Sequence, residues 1–163
     1  MRYIRQEILI GKENQDLLGK KTIAIIGLGA IGTSVANLLA RTGINLILVD
    51  YDQIDLTNLQ RQNIFTEQDL GKNKVDISKN YLQKVNSSIK IQAYNKKLIK
   101  ENMNLVKSDL VLDCTDNLEV RFLINDFCYS NKIPWIHAAA IQNKGLIFNI
   151  IPGKACFNCI YKN

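Results

Sequence analysis

Two features in the first third of the chain have the spacing of a phosphate-binding turn and a sugar-binding acid. Gly27, Gly29 and Gly32 stand in the order G-x-G-x-x-G. That spacing permits a tight turn, lets backbone N–H groups approach a phosphate, and brings a helix against a strand. Asp50 follows the next apolar run and could accept hydrogen bonds from a ribose. Together they indicate an adenine nucleotide, with NAD, FAD and ATP all compatible and glycines that merely pack as the plain alternative.

Cations come next. Lysine supplies sixteen of the 21 basic residues, amid many Asn and Ile. In a chain so biased, an arginine marks a place where a planar, bidentate guanidinium matters. Only Arg41 of the five arginines lies outside the motifs described below. Taken singly, Arg61 and Lys74 would read as solvated surface charges, Asp52 as a turn residue, and Asp113 as a strand-end acid that satisfies backbone donors. Arg121 reads equally well as the partner of an acid or as a group near phosphate. His137, the sole histidine, falls in an apolar run with no acid or nucleophile at triad spacing, so it reads as structural. Cys114 and Cys128 read as small core residues.

The elements that must position these residues alternate. Thr22 to Ile26 is a short apolar run, the glycine turn follows, and Ile31, Val35, Leu38 and Leu39 recur at helical spacing. A second run from Leu46 to Val49 ends in Asp50 and completes a βαβ unit. Residues 51–74 form a long polar connection, the kind that usually carries function. Beyond it, helices are predicted near 74–85 and 100–106 and on the face marked by Leu123, Ile124, Phe127 and Cys128. Strands are predicted at 89–94, 110–112, 135–138 and 145–151. The fold expected is α/β, a doubly wound, mostly parallel Rossmann-like sheet forming one domain over 1–163, with ligand beyond the carboxyl ends of the strands. Asp50, Asp113 and the glycine turn all fall at such ends.

The segment from Asp50 to Gln62 carries the pattern D-x-D-x(5)-N-L-x-R-Q, with Lys74 twelve residues on. It resembles the E1-like activating family typified by the ThiF, MoeB and HesA adenylyltransferases. Arg2-Tyr3-Ile4-Arg5-Gln6 resembles that family's R-Y-x-R-Q start, and Asp113-Cys114-Thr115-Asp116-Asn117 its D-C-T-D-N segment, with Arg121 four residues on. Cys156 and Cys159 match its first C-x-x-C. The motifs occur in family order across nearly the whole chain.

The resemblance implies an ATP-dependent adenylyltransferase acting on the C-terminal Gly-Gly carboxylate of a ubiquitin-like sulfur-carrier protein, of the molybdopterin or thiamine type, with release of pyrophosphate. Arg61 and Lys74 correspond to groups that contact the triphosphate, Asn58 and Gln62 to polar companions, and Asp50 to the ribose acid. Asp116 corresponds to the acid associated with magnesium. Arg5 corresponds to an arginine delivered to the neighbouring subunit's site, which implies a homodimer. A structural zinc needs four ligands, and Cys156 and Cys159 provide half of them. The family's second pair lies in a C-terminal portion absent from this sequence, so truncation or loss of the metal is favoured over a zinc shared by two chains.

Composition narrows the remaining choices. The 163 residues are 47% hydrophobic, enough for one core. No apolar run approaches a membrane span, and no signal-peptide layout opens the chain, so a soluble, cytoplasmic protein is expected. The net charge of +6 suits an anionic partner. The lysines form no basic stripe interleaved with aromatics, so ATP rather than nucleic acid is the anion expected. Two other functions compete. A shortened, non-catalytic module would bind nucleotide or a partner without turnover. An NAD-dependent oxidoreductase would share the βαβ unit but leave Arg61 and Lys74 unexplained.

Overall fold

The computed structural model of the chain describes residues 2–161. Six strands form one sheet in the order β3-β2-β1-β4-β5-β6. They are β1 (Thr22–Ile26), β2 (Asn45–Asp50), β3 (Ile91–Asn95), β4 (Leu110–Asp113), β5 (Trp135–Ile141) and β6 (Lys144–Ile150). The first five run parallel, and β6 returns antiparallel against β5. Strand order reverses between β1 and β4, the switch point at which a doubly wound sheet opens a crevice.

The central strands are apolar without interruption because both their faces are covered. Side chains alternate across a strand, and two cores result. On one face Ile23, Ile25, Leu46 and Leu48 pack with Ala36 and Ala40 of α3 (Ala30–Thr42) and with Val75 and Leu82 of α4 (Lys74–Val85). On the other, Ala24, Ile26, Ile47, Val49 and Val111 pack with Ile124 and Cys128 of α5 (Leu118–Asn131). Burying each such Leu or Ile stabilises by about 1.5–3 kcal/mol, which exceeds the tenths of a kcal/mol that separate ordinary helix propensities. That difference lets the polar α4 sequence stay helical on the strength of Val75 and Leu82.

The alternating elements sit where their apolar runs predict, with three adjustments. Leu38 repeats at helical spacing but faces outward at 64% exposure. Residues 100–106 form a 3-10 helix. The strand predicted at 135–138 extends to Ile141, because the turn after it folds β6 back into register, Trp135 opposite Ile150 and Ile141 opposite Lys144.

Two short helices at the N-terminus carried no sequence signal. These are α1 (Ile4–Ile10), which buries none of its residues, and α2 (Lys12–Leu18), which buries only Gln15. Polar contacts hold them instead. Arg2 donates to the Val85 carbonyl at 2.9 Å, Asn86 donates to the Tyr3 hydroxyl at 2.8 Å, and Gln15 donates to the Thr42 carbonyl at 2.9 Å. Near the other end, α6 (Phe157–Tyr161) docks on α5 through buried Phe157, whose backbone N–H donates to Asn125 Oδ1 at 2.9 Å.

Candidate functional site

Beyond the carboxyl ends of β1, β2 and β4 lies a cavity of about 720 Å³. Its floor is the turn between β1 and α3. Gly27 has φ +86°, a left-handed conformation that favours glycine, and a Cβ there would stand 2.9 Å from the Cys114 carbonyl oxygen. Gly32 is a matter of space: a Cβ would run into the Gly27 carbonyl oxygen. It packs beneath the turn and does not line the cavity, whereas Gly27 and Gly29 do. No side chain caps α3, so its first N–H groups are left to the cavity that Gly29, Ala30 and Ile31 line. A helix start of this kind attracts phosphate through its dipole and free donors.

Asp50 ties the two turns together. Its Oδ2 accepts from the Leu28 N–H at 2.5 Å and its Oδ1 from the Asp52 N–H at 2.8 Å. Burial raises its pKa above the ordinary value of 3.8, while those two bonds and nearby Lys74 pull the other way. It still lines the cavity, where a carboxylate has acceptor capacity to spare.

The long connection supplies the cations. Asp55 caps the short 3-10 turn Leu56–Asn58 by accepting from the Thr57 N–H, and Asn58 Oδ1 accepts from the Asp55 N–H at 3.2 Å. This turn delivers Asn58, Arg61 and Gln62 to the cavity. Arg61 donates to the Thr57 carbonyl at 2.9 Å and is otherwise exposed. Gln62 is 2% exposed and its Oε1 meets no donor among the described residues. Lys74 opens α4 and is nearly buried, with its Nζ 3.0 Å from Asp52 Oδ2. Half of the Asp52 side chain is in solvent, so the pair is screened and worth about 1 kcal/mol or less, too little to hold the ammonium against a polyphosphate.

The opposite wall is the β4 end. Asp116 lines the cavity, is exposed, and has no hydrogen-bond or ion-pair partner among the described residues. Asn117 caps α5 by accepting from the Val120 N–H at 3.2 Å. Arg121 both pairs with an acid and reaches the cavity wall. It lines the cavity, its Nε lies 3.7 Å from Asp113 Oδ2, and its Nη2 donates to the Thr115 carbonyl at 2.6 Å. Asp113 itself is fully buried and does not line the cavity. His137 is corrected by the structure: an acid does accompany it, with Nδ1 2.7 Å from Asp113 Oδ2. The pair arises because β4 and β5 set Asp113 opposite His137, a register their sequences do not reveal.

Lining residues the motifs did not single out are Lys96 and Leu98 after β3, Val120, and residues 138–141 of β5. They lie just after β3, on α5 and in the last part of β5 without a motif of their own, and only the tendency of ligands to bind at the carboxyl ends of strands hints at them. Altogether Arg61, Lys74, Lys96 and Arg121 oppose Asp50, Asp52 and Asp116, four cations against three carboxylates. With Lys74 paired to Asp52 and Arg121 to buried Asp113, Arg61 and Lys96 are the lining cations that have no carboxylate partner among the described residues.

Three predicted residues lie elsewhere. Arg5 is exposed on α1 and does not line this cavity. The Cys156 and Cys159 sulfurs approach to 3.5 Å. Burial opposes thiolate formation at Cys156, but hydrogen bonds from the Cys159 and Asn158 backbone and the Cys159 and Asn125 side chains hold its thiol below the ordinary value. Among the described residues no group of three or more metal-ligating side chains forms. Burial pushes Cys114 and Cys128 up to about 12, in keeping with inert core thiols.

Residues 3–163 match the ThiF family model. The chain belongs to the ThiF family. It is 36% identical to the molybdopterin-synthase adenylyltransferase of Escherichia coli over 167 residues, 98% of this chain and 67% of that protein. With the adenylyltransferase and sulfurtransferase MOCS3 of Culex quinquefasciatus it shares 36% over 169 residues, 99% of this chain and 38% of that protein. Among solved structures it superposes on E. coli MccB with ATP at a TM-score of 0.89 and 31% identity, covering 98% of this chain and 51% of the other. The fold is therefore the E1-like Rossmann type expected. This ThiF-family chain spans between about a third and two thirds of these curated relatives. No helix among its described residues is long and apolar enough to cross a membrane.

Proposed function

We propose that the protein adenylates a carboxylate with MgATP, and that the carboxylate is the Gly-Gly terminus of a ubiquitin-like sulfur carrier. The observation that carries this reading is the convergence of Arg61, Lys74 and Asp116, from three separate stretches of sequence, on the one cavity floored by the glycine turn. The molybdopterin-synthase and ThiS adenylyltransferases of E. coli, each 36% identical, support the reaction class.

In this reading the adenine base rests against the apolar Leu98 and Val120, the ribose reaches Asp50, and the phosphates lie over Gly27 to Ile31. A carboxylate oxygen of the carrier attacks the α-phosphorus. A new P–O bond forms, the bond to the bridging oxygen breaks, and pyrophosphate leaves with that electron pair. Attack brings negative charge onto negative charge, so Arg61 and Lys74 offset it where it develops. Gln62, with its buried unpartnered oxygen, accepts a hydrogen bond from the ligand. Asp116 fits magnesium: it is a hard oxygen donor with no protein partner among the described residues, and magnesium commonly takes one carboxylate plus phosphate oxygens and waters. When bound, the ion offsets charge on the phosphates and on the departing pyrophosphate.

Arg5 acts in trans within a homodimer. Its exposure on a helix that buries nothing, beside Ile8 and Leu9 at 80% and 86% exposure, supports that assignment. Cys156 and Cys159 would supply two of the four ligands a structural zinc needs, and no third ligand joins them among the described residues. The protein works in the cytoplasm, in keeping with reduced cysteines.

Exchange of radiolabelled pyrophosphate into ATP, with and without carriers ending in Gly-Gly, tests the reaction. Exchange that requires a carrier is the expected result. ATP binding without exchange for any carrier tried would favour a nucleotide-binding module that does not turn over. Greater thermal stabilisation by NAD than by MgATP would sink the adenylate reading.

A further inference from the structure

We propose that His137 is a positioning residue: through buried Asp113 it fixes Thr115, and so aims the Asp116 carboxylate into the nucleotide cavity. Asp113 is fully buried, and both of its oxygens are engaged. Oδ1 accepts from the Thr115 N–H at 3.0 Å and from the Thr115 hydroxyl at 2.7 Å. Oδ2 faces His137 Nδ1 at 2.7 Å and Arg121 Nε at 3.7 Å. A carboxylate only accepts, so the imidazole donates from Nδ1. Arg121 also takes the Thr115 carbonyl. The peptide groups on both sides of Thr115 are thereby held, and Asn117 on the far side of Asp116 is held as the cap of α5.

The imidazole has little freedom to turn. It stacks on Phe148 at 6.3 Å between centroids and 18° between planes, and meets the edge of Phe157 at 5.5 Å and 75°. Phe148 comes from β6 and Phe157 from α6, so the β5–β6 hairpin and the terminal helix clamp the ring that clamps the acid. Burying an acid, an arginine and a histidine together adds little net stability compared with an apolar core of equal volume. What the arrangement supplies is a fixed direction for the one cavity carboxylate that has no partner of its own among the described residues. His137 does not line the cavity and acts only through this chain of contacts.

The test compares His137→Leu with His137→Asn in the full chain, since the Asn amide can place a donor near the Nδ1 position and Leu cannot. Amide hydrogen exchange at Thr115, whose N–H donates to Asp113, is measured without nucleotide. ATP binding is then measured by titration calorimetry, once with magnesium and once with chelator. In His137→Leu the Thr115 amide should exchange at least about tenfold faster while the β1 amides are unchanged. Its MgATP affinity should fall about tenfold, the usual scale for losing an outer-shell partner, with metal-free ATP binding intact. His137→Asn should recover both. Wild-type exchange in the Leu variant would overturn the proposal, and so would an Asn variant no better than Leu. The calorimetric arm rests on the nucleotide reading and the exchange arm does not. A wild-type protein that binds no ATP would refute that reading and leave positioning to be decided by exchange alone. Should the Leu variant fail to fold, His137→Gln, whose amide sits one bond further out, replaces it and is expected to lose what Asn keeps.

Discussion

At the residue scale, exposure sets two of the proposed ligand groups apart from the residues that hold the fold. Arg61 and Asp116 are exposed at the cavity and contribute nothing to either core. Arg61→Ala and Asp116→Ala should each lower pyrophosphate exchange by about 10²–10³-fold, the scale of removing one group that meets developing charge. Their circular dichroism and melting temperature should match the wild type, and a variant that unfolds would refute the assignment. Asp50 behaves differently because it is structural as well. Burial raises its folded-state pKa, so its contribution to stability is complete below the ordinary carboxylate value of 3.8 and is lost as pH rises through the raised value. Melting curves should show the stability of wild type relative to Asp50→Asn declining from about pH 4 upward and then levelling. A difference that grew with pH would show that hydrogen bonding, rather than burial, sets the shift.

At the scale of elements, the glycine turn offers a paired comparison. At Gly29 no heavy atom lies within 4 Å of the place a methyl would take, and its φ of −79° is one that any residue adopts. Gly32 has a carbonyl oxygen in that place. Gly32→Ala should therefore destabilise by about 3 kcal/mol, a drop of about 6–12 °C in melting temperature for a chain of this size. Gly29→Ala should keep the wild-type melting temperature and lose ATP affinity, because the added methyl stands at the phosphate face of the turn. The same turn illustrates legibility. Strand, turn and helix are contiguous, so their order and the glycine spacing could be read directly. The helices α1 and α2 could not, because they are held by side chains such as Tyr3 and Gln15 reaching residues far along the chain, and carry no buried apolar stripe.

For the whole molecule the open matter is assembly. Arg5 stands away from its own chain's cavity, on a helix with Ile8 and Leu9 outward. If each site of a homodimer borrows Arg5 from the partner, Arg5→Ala and Asp116→Ala are each inactive but complement one another. Mixed in equal amounts after dissociation, they should recover about a quarter of wild-type exchange, since half the dimers are mixed and each holds one whole site. No recovery, with mixed dimers demonstrated by mass, would place Arg5 outside the reaction.

Sequence alone determined the family, the alternation of strands and helices from Thr22 onward, and the charged residues Arg61, Lys74 and Asp116 that reach the cavity. Those properties depend on local period and on spacing within single segments: Ile23 to Ile26 before the glycines, or Asn58 to Gln62 on one short turn. Tertiary structure decided what is joined across segments. The β4–β5 register set His137 on Asp113, the fold of the long connection brought Lys74 to Asp52, and the sheet's reversal between β1 and β4 put Asp50 and Asp116 on opposite walls of one cavity. The reason is physical. Backbone pairing between parallel strands is nearly indifferent to side-chain identity, so register is selected by packing of the two cores, a sum over distant residues that no single stretch of sequence contains.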